Sequence, residues 1–118
     1  MKFMFIVKSA RTVPPTPALL EAMHKLAARE IEAGRMLDNG GLMPLAEGAQ
    51  VRIIGGELSV LDGPFAETKE VIGGYAVFDL HSKEEAVASA VEFMQLHKDL
   101  QPGWEGTCEL RAFAPGGP

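Results

Sequence analysis

Apolar positions in this chain follow two spacings, and the changes between them mark its elements. Residues 2–8, KFMFIVK, carry five consecutive apolar side chains at Phe3, Met4, Phe5, Ile6 and Val7, the pattern of a strand buried on both faces. Thr16 and Pro17 then read as an N-cap followed by proline at the first helical position. Leu20, Met23, Ala27 and Ile31 share one helical face, with Glu21, Lys25, Arg29 and Glu32 largely on the other, and Gly34 stops the helix. Residues 35–42 form a short strand interrupted by Asn39-Gly40-Gly41, and Pro44 closes it. Residues 51–54 and 57–61 flank Gly55-Gly56, a two-residue hairpin signal in which both glycines are free to take positive φ. Residues 74–80 repeat the doubly apolar pattern through Tyr75, Ala76, Val77 and Phe78. Ser82 and Glu85 have capping-box spacing, and the helix they start carries Val87, Ala90, Val91 and Met94 on one side. His97 and Lys98 fall near its end, where cations suit the helix dipole, and residues 107–113 form a last strand.

The order is strand, helix, short strand, hairpin, strand, helix, strand. That predicts an α+β class, a ferredoxin-like βαββαβ plan with an inserted β-hairpin. Two helices cover only one face of such a sheet, yet two of its strands are apolar on both faces. A second copy of the chain is the simplest cover for the other face, so a homodimer is expected. With 118 residues, 47% of them hydrophobic, there is material for one core, assigned to a single domain over residues 1–113 with a flexible tail at 114–118.

Charge narrows the partners. The net charge is −5 and the eleven Lys and Arg are scattered, so neither nucleic acid nor an anionic membrane finds a footprint. The first residues hold one Lys and only five apolar positions, too few for a signal-peptide core or a membrane span, which makes a cytoplasmic location the expectation. Cys108 is the single cysteine and reads as a buried strand residue.

The densest run is DGPFAETKEVIGGY at 62–75, which places turn chemistry, charges and a glycine pair between two apolar stretches. Asp62 ties its own turn through backbone N–H groups or serves as a general acid or base, and Gly63 is expected to be extended ahead of Pro64. Glu67 is a second acid–base candidate, and Lys69 an anion anchor or a perturber of the neighbouring carboxylates. Together with Thr68 and Glu70 they line a ligand site or form a solvated loop face, and Phe65 plugs the loop or meets the ligand. The spacing of Asp62, Gly63, Pro64, Phe65, Glu67, Thr68, Lys69, Glu70, Gly73 and Gly74 resembles the signature of the DGPF family within the YCII-related proteins. That resemblance implies a dimeric α+β barrel. It also implies a catalytic role for a histidine near His24 paired with an aspartate, for which Asp38 and Asp62 are both open. Family members are often linked with extracytoplasmic-function sigma factors, so the alternative to a small-molecule cleft with acid–base chemistry is a regulatory or protein-interaction module.

Other chemistries lack support. Asp79, His81 and Glu85 are close in sequence, but Ser82 and Glu85 are already accounted for as a helix cap and no second His or Cys cluster completes a metal shell. There is no phosphate loop, nucleophile elbow or CxxC, and no cofactor is implied.

Overall fold

The structure, a computed structural model, describes residues 1–11, 13–63 and 71–116. In chain order the elements are strand β1 (Lys2–Ser9), helix α1 (Pro17–Glu32), strand β2 (Met36–Gly41), a 3-10 turn at Leu45–Glu47, strands β3 (Gln50–Ile54), β4 (Glu57–Leu61) and β5 (Val71–Asp79), helix α2 (Lys83–Leu100) and strand β6 (Gly106–Ala112). Four strands form one antiparallel sheet in the order β2-β5-β1-β6, while β3 pairs with β4 alone. The fold is α+β, and its sheet order is that of a ferredoxin-like plan.

Register decides which side chains meet the helices, because directly opposed residues of an antiparallel pair share a face. Phe3 opposes Phe78 and Ala112, and Phe5 opposes Ala76 and Leu110. This face carries the core, in which Phe3, Phe5, Met36, Phe78 and Leu80 pack with Ala86 and Ala90 of α2. The rings of Phe5 and Phe78 stack at 4.5 Å. Met4, Ile6, Tyr75 and Val77 point to the opposite side and are only half-buried. Among the described residues, both helices pack on the Phe3 face.

Helix starts follow local chemistry. Thr16 Oγ1 accepts from the Leu19 N–H at 3.2 Å, and Ser82 Oγ accepts from the Glu85 N–H at 3.1 Å. The Glu85 carboxylate reaches back to the N–H of His81, one residue before the cap. The buried stripes differ by about one position from the expected ones. In α1 Leu19 and Glu30 are buried whereas Leu20 and Ile31 are exposed. In α2 the stripe is Ala86, Ala90 and His97, leaving Val87 and Val91 in the open. Several apolar side chains fall near the edge of each expected stripe, and the angle at which each helix docks selects among them.

Two further details depart from expectation. β2 runs through Asn39-Gly40-Gly41 without a break, since Gly40 and Gly41 pair with Tyr75 and Gly74. A Cβ on Gly40 would lie 3.0 Å from the Tyr75 ring, so glycine here makes room for an aromatic neighbour. Gly63 has φ +79° and not the extended conformation expected before Pro64, since glycine enters the left-handed region without the Cβ penalty. At the β3–β4 turn Gly55 and Gly56 both have positive φ, as a type I′ turn requires.

Two polar ties join the elements. Thr16 Oγ1 donates to the Leu100 carbonyl at 2.7 Å, the Thr16 N–H donates to Gln101 Oε1 at 2.8 Å, and Gln101 Nε2 donates to the Pro14 carbonyl at 3.2 Å. They bind the start of α1 to the end of α2. At the other end of α1 the Glu30 carboxylate, only 4% exposed, takes two bonds from Arg35 Nε at 3.1 and 3.2 Å and another from its Nη2. Arg29 lies alongside and also pairs with Glu92 of α2.

The β3–β4 pair stands apart. Val51 opposes Val60 and Ile53 opposes Leu58, giving one wholly apolar face whose residues are each between 66% and 74% exposed. The radius of gyration is 16.1 Å, against about 13.5 Å for a compact chain of this length. No helix among the described residues is long and apolar enough to cross a membrane.

Hydrogen bonds from Arg35, strengthened by the two arginine charges, hold the Glu30 carboxyl below its ordinary value despite burial. A depressed carboxyl stabilises the fold fully above the ordinary value of 4.5 and loses that contribution as pH falls through the folded value. Glu30→Gln should cost about 1.5–3 kcal/mol at pH 7, a Tm drop of roughly 6–12 °C. The gap between wild type and variant should narrow below pH 4.5 in a melting series; a gap constant with pH would refute the charged tie.

Candidate functional site

The helices do not seal onto the sheet along their whole length. Between them and the strands lies a cavity of about 480 Å³, within the range of small-molecule sites. Phe5 and Val7 of β1, Leu19 and Met23 of α1, Phe93 of α2, Trp104 and Cys108 supply much of its wall. Among the described residues, none of Asp, Glu, Lys or Arg lines it.

Its polar members are specific. His97, 6% exposed, faces the cavity from the last turn of α2, with its ring 4.6 Å from Phe93 on one side and 4.6 Å from Trp104 on the other. Its Nδ1 lies 3.1 Å from the Phe93 carbonyl. A carbonyl only accepts, so Nδ1 carries the proton, and the neutral ring keeps a lone pair on Nε2. Burial lowers the pKa of His97, with the Phe93 bond opposing that shift, and so favours this neutral form. The expectation that His97 acts as a helix-terminal cation is thereby corrected. His24, exposed on α1, reaches the rim of the same cavity. Gln101 also lines it, but its amide is committed to Thr16 and Pro14. Burial pushes the Cys108 thiol up to about 11, so it stays protonated and apolar near neutral pH.

A backbone feature sets the Trp104 wall. A Cβ on Gly106 would fall 2.4 Å from the Lys8 carbonyl and 2.4 Å from the Trp104 ring. Glycine at the start of β6 thus lets the indole lie against the strand and reach His97.

The residues expected to carry chemistry are dispersed. Asp62 is exposed after β4 and does not line the cavity, whereas His24 does. Asp38 opposes Val77 on the face turned away from the helices, where its carboxylate accepts the Tyr75 hydroxyl at 3.0 Å. That bond is the main cause raising the Tyr75 pKa. Neither aspartate is hydrogen-bonded to His24. Phe65, Glu67, Thr68, Lys69 and Glu70 lie outside the described residues. Asp79 is 55% exposed and Glu85 is held by His81, and no group of three metal-ligating side chains occurs among the described residues. On the open face Glu109 pairs with Lys8 at 3.2 Å and Arg111 at 3.6 Å, chiefly the first lowering its pKa.

His97 is the residue that sequence reasoning put in the wrong role. Its signal was the helical series Ala86, Ala90, Phe93, His97, which places it on the buried stripe together with an aromatic four residues earlier.

The sheet order, with both helices on one face and a cavity beneath them, defines a small α+β protein of ferredoxin-like type. Residues 1–93 match the YCII-related domain, and the chain belongs to that family. It is 33% identical over 108 residues to an uncharacterised protein of Rhizobium meliloti (strain 1021), a match that covers 92% of this chain and 83% of that protein.

Gly106→Ala tests how the wall is built. The added methyl should displace Trp104 from His97 and cost about 1–3 kcal/mol. Trp104 is the single tryptophan, so its fluorescence reports the shift directly. Unchanged emission and melting temperature would contradict the role given to this glycine.

Proposed function

We propose that the protein is a cytoplasmic homodimer of the DGPF subgroup that binds a small, uncharged, largely apolar organic molecule between its helices and sheet. The observation that carries this is the cavity of about 480 Å³ with apolar walls and, among the described residues, no fixed charge. An anion or cation entering it would lose its hydration without a counter-ion, which costs several kcal/mol. His24 at the rim and His97 on the wall are the groups available for acid–base chemistry.

Two patches of apolar side chains that neither helix covers among the described residues support the dimer. One is the sheet face with Met4, Ile6, Tyr75 and Val77, and the other is the Val51, Ile53, Leu58, Val60 face of the hairpin. An isolated two-stranded hairpin is marginal in water, so the β3–β4 pair needs a cover to persist. A second copy docking on the open sheet face gives the dimeric α+β barrel, with β3–β4 as an arm inserted into the ferredoxin-like plan.

Light scattering at micromolar concentration should give twice the 12.7 kDa chain mass, and Ile53→Asp with Leu58→Asp should weaken association roughly hundredfold. Monomer mass for the wild type would refute the dimer. Separately, neutral bicyclic aromatics at about a hundred times Kd should stabilise the fold by about 2.7 kcal/mol in thermal melts, while naphthalene sulfonate should not. Equal stabilisation by both, or by neither, would refute an uncharged cavity ligand.

A further inference from the structure

The two ring nitrogens of His97 on the cavity wall have different surroundings. Nδ1 of His97 is spent on the Phe93 carbonyl, and Nε2 has no hydrogen-bond partner among the described residues. It is not sealed away either, because every fully buried side-chain nitrogen or oxygen among the described residues has a partner. His97 itself is only 6% exposed and lines the cavity, so a molecule bound there is the partner within reach of its ring. The ring does not swing freely, being set between Phe93 and Trp104.

Several other polar side chains of the lining are engaged, while His24 is exposed at the rim and Ser89 is half-buried on α2. Gln101 holds Thr16 and Pro14, Asn39 Nδ2 donates to Met36 sulfur at 3.3 Å, and Ser9 donates to the Arg11 carbonyl at 2.7 Å. The Tyr75 hydroxyl is turned to Asp38. What remains deep in the wall is an acceptor held in fixed orientation by aromatic neighbours. Such an atom rewards a ligand that brings a donor and does nothing for an ether or ketone of the same shape.

We propose that His97 Nε2 is the specificity-determining anchor of the cavity and accepts a hydrogen bond from the hydroxyl of an uncharged aromatic alcohol, a phenol or naphthol. The flat hydrocarbon body packs against Phe5, Leu19 and Trp104, and the relatively acidic phenolic O–H matches a neutral imidazole lone pair. A carboxylic acid is a poorer fit, since its anion would meet no countercharge among the described lining residues. This role rests on the cavity being a small-molecule site.

The test pairs 2-naphthol with 2-methoxynaphthalene, which has the same bicyclic body but no donor, in calorimetric titrations of wild type and His97→Phe. Wild type should prefer 2-naphthol about tenfold, the effect of one buried hydrogen bond. In His97→Phe the preference should vanish while 2-methoxynaphthalene binding changes less than threefold. A preference that is absent in wild type, or that survives in His97→Phe, overturns the anchor and leaves the cavity site standing. Failure of wild type to bind either probe overturns both. If His97→Phe does not fold, nitrogen NMR of the wild type decides: the Nε2 resonance should move with 2-naphthol and not with its methyl ether, and the same response to both refutes the anchor.

Discussion

The constraint on which the rest of the structure depends is the strict alternation of side chains along β1 and β5. Once Phe3 and Phe5 face Phe78 and Ala76 beneath the helices, Met4 and Ile6 must face Val77 and Tyr75 on the other side. A slip of one residue would bring Met4 and Val77 under the helices and expose Phe3, Phe5 and Phe78, so the stacked phenylalanines lock the register. The same lock creates the molecule's central tension, a second sheet face that the two helices do not reach and that mixes Met4, Ile6 and Val77 with the charged Lys8, Glu109 and Arg111.

The ends of the helices shape the space on the covered side. Thr16 and Gln101 tie the start of α1 to the end of α2, fixing the helices where the cavity lies. Glu30, Arg35 and Arg29 hold the opposite end of α1 to β2 and α2. Between these ties the wall is apolar, and the single histidine buried there stays neutral because charging it would require an ion to leave water. Thr16 and Gln101 at the cavity edge are thus structural ties, whereas His24 at the rim and His97 on the wall are not part of them.

Much of this was legible in the residues themselves. The N-caps at Thr16 and Ser82 and the Gly55-Gly56 turn are local chemistry, and they appear where the residues place them. The glycine run at Asn39-Gly40-Gly41 looked like an interruption because glycine is weak in strands on its own account; pairing with Tyr75 and Gly74 overrides that weakness. The helix stripes were displaced toward Leu19, Glu30 and His97 because burial depends on the angle at which a helix docks, which its own sequence does not contain. Asp38, open as a partner for His24, is engaged by Tyr75 on the other side of the sheet, a matter of strand alternation across residues far apart in sequence.

By itself the amino-acid sequence determined the α+β class, the order of elements, their caps and turns, and membership in the YCII-related family, since each depends on neighbouring residues or on a contiguous motif. Only the tertiary structure decided that His97 is a buried residue on a cavity wall with Nδ1 tied to the Phe93 carbonyl, that Gly106 leaves room for Trp104, and that Glu30 is a buried structural anion. Those properties arise where segments distant in the chain exclude water together, and the exclusion of water sets both the protonation of a side chain and the contacts left free to it.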